Sequence, residues 1–169
     1  WVQIAEIIES NYTAYDGFVV LHGSDTMSYT ASALSFMLEN LAKPVVFTGS
    51  QLPIGTIRTD GKENLITSIE IATATDNGQP IIQEVCVLFQ SKLFRGNRTH
   101  KYSTENFDAF ESANFPPLAE AGIHIFYHAN LLLRPDGPFT FRSRFDDRVG
   151  ILKIFPGSSA ILSTTILSV

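Results

Sequence analysis

Phe18-Val19-Val20-Leu21-His22-Gly23-Ser24-Asp25-Thr26-Met27 joins an apolar run to a glycine, then to a hydroxyl, a carboxylate and a second hydroxyl. A helical pattern begins directly after it. A short continuous apolar run that stops at a turn signal reads as a strand. Such strands belong to open α/β sheets, whose ligands bind beyond the carboxyl ends of the strands. The stretch therefore predicts a fold and also the edge of the sheet where chemistry would sit. Ser24 and Asp25 have two readings at this stage. They serve a site at that edge, where free N–H groups of a helix start can bind an anion, or Asp25 or Thr26 simply caps the following helix.

The flanking sequence alternates in kind. Val2, Ile4, Ala5, Ile7 and Ile8 share a face of a helix over residues 1–10, which leads to a turn at Asp16-Gly17. After the opening stretch, a helix is predicted over 28–41, with Leu34, Met37, Leu38 and Leu41 on one face. Lys43-Pro44 ends it, because proline cannot continue a helix. Val45–Thr48 is a second buried strand, and it opens into Gly49-Ser50-Gln51-Leu52-Pro53-Ile54-Gly55 on the same edge. Asp60 is placed to cap a helix that runs to Ala74, with Leu65, Ile66, Ile69 and Ala72 inward. Asp76-Asn77-Gly78 closes it and the strand Glu84–Phe89 follows. Alternation of this kind predicts a flavodoxin-like, three-layer α/β domain with a parallel sheet.

Residues 90–122 are polar and irregular, and long loops in compact domains are usually functional or disordered. Ile123–His128 reads as another strand. Pro135, Gly137 and Pro138 mark a boundary, which divides the chain into a domain over 1–133, a linker over 134–148 and the start of a second, smaller α/β domain over 149–169. Within these, Phe139–Phe145 alternates like a half-buried strand, Val149–Phe155 is more continuously apolar, and Pro156-Gly157-Ser158-Ser159 reads as entry to a helix. The chain starts at Trp1 inside a helical pattern and stops at Val169 inside an apolar one, so both ends read as cut.

Composition narrows the function. The 169 residues are 44% hydrophobic and 17% charged, which is the balance of a globular domain with its own core. A net charge of −5 argues against a nucleic-acid or anionic-membrane surface, since both need a basic patch. No apolar run reaches the roughly 18 residues of a membrane span. The one cysteine, Cys86, sits in an apolar run and reads as a small buried hydrophobe in a reducing compartment.

Other candidate chemistry is thinner. Gly23 directly precedes Ser24 without the second glycine of a G-x-S-x-G elbow, so a serine hydrolase is a weak reading. Lys92, Arg95, Arg98 and Lys101 form a basic cluster, more simply a solvated loop in so acidic a chain. Lys101 has a sharper reading, because a lysine desolvated near a hydroxyl can accept its proton. His22, His100, His124 and His128 lack metal-ligand spacing, and no glycine-rich phosphate loop is present.

Several ordered blocks together resemble the bacterial-type L-asparaginases, in their cytoplasmic type I branch. They are residues 15–27, Tyr29–Asn40 (YTASALSFMLEN), Phe47-Thr48-Gly49-Ser50-Gln51, Arg95-Gly96-Asn97-Arg98-Thr99-His100-Lys101, Asn114-Phe115-Pro116-Pro117-Leu118 and Glu120–Ile125. Residues 129–148 match least. The resemblance implies hydrolysis of the side-chain amide of L-asparagine, with no metal or cofactor. It implies a first nucleophile, a threonine upstream of Trp1, and a relay of Ser24, Asp25 and Lys101, with Ser24 replacing the family's threonine. Serine keeps the hydrogen-bonding capacity of threonine and loses its stiffer χ1. Gly23, Ser24, Asp25, Ser50 and Gln51 are implied to border the substrate. His100 replaces a threonine of the family's effector pocket, which argues against an effector response to asparagine. A cytoplasmic homodimer or homotetramer is implied, and a segment not competent without its second domain. Two further classes stay open: a related glutamine amidase or amidotransferase subunit, and a non-catalytic amino-acid-binding module.

Overall fold

The computed structural model describes residues 1–146, 148–151, 153 and 155–157. Three parallel strands form one half of a six-stranded sheet: β1 (Phe18–Leu21), β2 (Val45–Thr48) and β3 (Val85–Phe89). The other half continues from β3 as three antiparallel strands: β4 (Lys92–Arg95), β5 (Ala119–Ala121) and β6 (Ile125–Tyr127). The order across the sheet is β1-β2-β3-β4-β5-β6.

Alternation along the central strands divides the core into two layers. Val45, Phe47, Val85, Val87 and Phe89 face α1 (Val2–Asn11) and α2 (Met27–Met37), against Ala5, Ile8, Ala31 and Leu34. Val46, Cys86 and Leu88 face the opposite way, onto Ile71 and Ala72 of α3 (Gly61–Thr73). Successive strand residues point to opposite faces, so a strand covered on both sides must be apolar throughout, and every residue of β2 and β3 is buried. Helices on both faces of a sheet give the expected three-layer α/β arrangement.

Several local expectations are corrected. The polar segment 90–122 is not one long loop, because it contains β4 and β5. The sheet is therefore mixed, parallel only from β1 to β3. α2 stops at Met37 rather than Leu41, because Leu38–Glu39 pairs antiparallel with Thr140–Phe141. Leu38 and Leu41 stay buried outside the helix, so the apolar period outlasts the helical backbone. The strand expected over 139–145 narrows to Thr140–Phe141. α3 is rotated from its predicted face: Ile66 and Ile69 are exposed, while Asn64, Thr67 and Ser68 are buried. After α3, Asn77 (φ 50°) and Gly78 (φ 78°) form the tight turn of a small hairpin between Thr75–Asp76 and Gln79–Pro80.

Just before the two prolines, Pro135 and Pro138, the chain is tied down by side-chain bonds. Leu133 N–H donates to Glu84 Oε1 at 2.9 Å, and Arg134 Nη1 donates to Ile81 O at 3.0 Å. Val149, Ile151 and Phe155 are exposed. The helix expected from Ser158 onward lies outside the described residues. Among the described residues no helix is long and apolar enough to cross a membrane.

Candidate active site

β1 and β2 run side by side and end together, Leu21 opposite Thr48. His22 N–H donates to Thr48 O at 2.8 Å, which carries the pairing one residue past the strand. The two following loops then cross at close range. A Cβ on Gly49 would stand 2.3 Å from His22 O and 2.9 Å from Met27 Cε, so only glycine fits there. This crossing brings Ser24 within hydrogen-bond reach of Gln51.

Lys101 reaches the same edge from the other half of the sheet. After β4 the chain makes a 3₁₀ turn, Gly96–Arg98, packed tightly on α2; a Cβ on Gly96 would meet Ser35 Oγ and Val85 O at 2.9 Å each. His100–Lys101 then pairs with Phe110–Glu111. Phe110 is buried against Phe89, ring centroids 4.7 Å apart, which anchors the short ladder to the core. His100 Nε2 lies 3.1 Å from Glu111 Oε1 across it.

The result is a three-residue cluster. Lys101 Nζ donates to Ser24 Oγ at 2.9 Å and to Asp25 Oδ1 at 2.7 Å. The lysine side chain is only 10% exposed, whereas that of Asp25 is 86% exposed. Ser24 Oγ donates in turn to Gln51 Oε1 at 3.3 Å, and Gln51 Nε2 donates to Asn106 O at 2.9 Å. Lys101 has three N–H donors and no acceptor, so two of its protons are committed to groups that can exchange one. A cavity of about 300 Å³ opens beside the pair, lined by Asp25, Ser28, Tyr29, His100, Lys101 and Tyr102. The arrangement can move a proton between a hydroxyl and an amine, and it presents a carboxylate to a cationic ligand.

The helix-capping reading of Ser24-Asp25-Thr26 does not hold. α2 starts after Thr26 with no side-chain cap bond, and Asp25 is turned to Lys101. Arg95 and Arg98 leave the basic cluster for other partners. Arg95 Nε lies 2.6 Å from Glu84 Oε2, and both guanidinium groups lie over the Phe115 ring. His124 lies just outside β6, while His128 approaches Glu120 at 3.8 Å. Among the described residues no group of His, Cys, Asp or Glu is arranged to hold a metal.

Residue patterns did not reveal a second chain of contacts behind the site. Trp1 Nε1 donates to Thr30 Oγ1 at 3.1 Å, Thr30 Oγ1 lies 3.0 Å from His22 Nε2, and His22 Nδ1 lies 2.8 Å from Gly23 O. With Nδ1 protonated and donating to Gly23 O, Thr30 satisfies Nε2. The imidazole thereby pins the turn that carries Ser24. Its only sequence signal is a histidine directly before the glycine.

Comparison with known proteins gives the family. The family described as "Asparaginase, N-terminal" matches residues 1–133. The chain is similar to L-asparaginase 1 of Escherichia coli K12, 49% identical over 162 residues, covering 95% of this chain and 46% of that protein. It is also similar to the 60 kDa lysophospholipase of Mus musculus, 48% identical over 169 residues, covering 99% of this chain and 29% of that protein. In three dimensions it is similar to L-asparaginase I of Vibrio cholerae, with a TM-score of 0.87 and 45% identity, over 99% of this chain and 50% of that one. The chain thus spans half or less of the length of these relatives. With the sequence blocks, the mixed sheet and its helices all shared, the chain belongs to the asparaginase family, in its bacterial type I branch.

Proposed function

We propose that the protein hydrolyses the side-chain amide of L-asparagine to L-aspartate and ammonia. The observation that carries this reading is the placement of Lys101 Nζ within hydrogen-bond reach of both Ser24 Oγ and Asp25 Oδ1, from 77 and 76 residues away. Amide hydrolysis needs a hydroxyl that loses a proton and a leaving nitrogen that gains one. Ser24 and Lys101 are the relay for that proton. As the attacking hydroxyl gives its proton to Ser24 and Ser24 passes its own to Lys101, Asp25 stabilises the ammonium that results. The same proton then passes to the departing nitrogen as the C–N bond breaks. Acyl transfer starts at the threonine that the family resemblance places upstream of Trp1, and a water completes it at the acyl carbon.

Asp25 has a second task. Lys101 engages one of its oxygens, Oδ1, and the carboxylate also lines the cavity, where it takes the α-ammonium of an amino acid. That contact selects an amino acid over a plain amide. Ser50 and Gln51 border the substrate amide across the loop crossing, and backbone N–H groups at Gly23 and Ser24 face the developing charge on the acyl oxygen.

Ammonia release by the complete protein tests this reading, with asparagine and glutamine run in parallel. Turnover of asparagine well above glutamine is the expected result. Preference for glutamine assigns the chain to an amidotransferase-like activity, and release from neither assigns it to a binding module. We further infer a division into a domain over 1–133, a linker over 134–148 and a second domain from 149 onward. A cytoplasmic homodimer or homotetramer fits the exposed Ile57, Ile123 and Phe126, and sizing of the complete protein checks it.

A further inference from the structure

The first turn of α3 grips the loop that carries Ser50 and Gln51, and the Ser24–Lys101 relay does not account for that grip. Asp60 stands just before α3, where a carboxylate is expected to cap the helix, yet its side chain makes no cap bond. It accepts instead from the facing loop. Gln51 N–H donates to Oδ1 at 3.0 Å and to Oδ2 at 2.9 Å, and Leu52 N–H donates to Oδ1 at 3.2 Å. One helical turn on, Asn64 is 1% exposed. Its Nδ2 donates to Gly49 O at 2.9 Å and to Asp60 Oδ2 at 3.2 Å. Thr59 Oγ1 donates to Leu52 O at 2.9 Å and accepts from Gly61 N–H at 3.0 Å. Four backbone groups between Gly49 and Leu52 therefore end on three side chains at the head of α3.

The chemistry of each group suits this task. Hydrogen bonds from N–H to a carboxylate are about twice as strong as neutral ones. The positive end of the helix favours the Asp60 charge there. Asn64 can donate two protons where an aspartate would set oxygen against oxygen. Gly61 lets the helix approach, since a Cβ there would lie 3.1 Å from Ser50 Cβ. The rotation of α3 that exposes Ile66 and Ile69 is the one that turns Asn64 onto the loop.

We propose that Asp60, supported by Asn64, is a positioning residue for the amide hydrolysis. It fixes the Gln51 and Leu52 amides, and so sets where Gln51 meets the Ser24 hydroxyl and where Ser50 borders the substrate. The kinetic part rests on the asparaginase reading above; the clamp itself does not.

The test is Asp60→Ala in the complete protein, read by hydrogen exchange and by ammonia release from asparagine. The Gln51 and Leu52 amides are expected to exchange roughly 10- to 100-fold faster, as befits loss of bonds to a charged acceptor, while those of Phe47 and Val87 hold. kcat is expected to fall about 10²-fold, the cost of a misplaced reacting group. Added formate, which can reoccupy the carboxylate site, is expected to restore part of it. Should Asp60→Ala fail to fold, Asp60→Asn carries the same readouts with one acceptor oxygen kept. Unchanged exchange at Gln51 and Leu52, or faster exchange with kcat intact, overturns the proposal. A wild-type protein that releases no ammonia from asparagine sinks the functional reading and the kinetic part with it, and the exchange result still decides the clamp.

Discussion

The two halves of the sheet are built differently, and each brings a different part of the candidate site. β1, β2 and β3 are parallel and lie between helix layers, so their ends form an edge held by packing on both faces. Ser24, Asp25 and Gln51 hang from that edge. β4, β5 and β6 are antiparallel, and their far margin meets solvent, with Ile123 98% exposed and Phe126 also open. Lys101 comes from this half, carried back across the edge by a ladder of two residue pairs. The cluster therefore joins a packed platform to a delivered side chain. The difference teaches that the parallel half sets where the reactive groups stand, and the antiparallel half decides whether the lysine arrives.

Removing the delivered group has the largest expected effect. Lys101→Met lowers kcat by about 10²- to 10⁴-fold, the usual range for a positioned acid–base group, while the urea midpoint stays close to wild type. Ammonia release and urea unfolding on the same sample check both parts. Equal losses of activity and stability would erase the distinction between delivery and platform.

The joint between the halves comes next. The Glu84 carboxylate, at the head of β3, pairs with Arg95 at the end of β4, and both are largely buried. Arg95 Nη2 also donates to Leu131 O at 2.6 Å. Arg95→Met leaves a buried carboxylate uncompensated and is expected to cost about 3–5 kcal/mol. Adding Glu84→Met is expected to recover much of that, because the orphaned charge goes with it. Equilibrium denaturation of the two variants measures the difference.

Inside the platform, Gly49→Ala tests the loop crossing. Its Cβ would fall 2.3 Å from His22 O, so backbone must move, at an expected cost of about 1–3 kcal/mol. The smallest effect belongs to the outer margin. Tyr127 on β6 has a buried hydroxyl without a hydrogen-bond partner among the described residues, so Tyr127→Phe is expected to be near neutral at pH 7. Its phenol is pushed up to about 12 by burial, with the Glu70 charge adding to the effect. The folded state then holds this proton more tightly than the unfolded chain, whose tyrosine keeps the ordinary value of 10.0. Its contribution is complete below pH 10 and is lost as pH rises from there toward 12. The phenylalanine variant is expected to lack that alkaline loss in a denaturation series.

The same division explains what could be read from residues alone. β2 and β3 were legible because strands covered on both faces must be apolar without interruption, and β1, half-buried at the sheet edge, because its apolar run stops at a glycine. β4, Lys-Leu-Phe-Arg, and β5, Ala-Glu-Ala, are short and broken by polar residues, and nothing local separates them from loop. Ser24 and Asp25 stand out because a glycine halts an apolar run just before them. Lys101 does not; without the family resemblance it is one cation among four, since no local rule ties residue 101 to residue 25. Asp60 looked like a cap because its position before a helix is the usual one for that role. The competing loop amides lie eight and nine residues away across a turn. Ile66 and Ile69 share a helix face by spacing, but the buried work of Asn64 turned that face outward.

The central claim is that Ser24 and Lys101 act as one relay, and a double-mutant cycle on kcat addresses it directly. Ser24→Ala, Lys101→Met and the double variant are compared in the complete protein with asparagine. Groups that act as a unit lose little more together than apart. The account predicts that the double variant is no slower than about threefold below the slower single one. Losses that multiply across the two sites would contradict it.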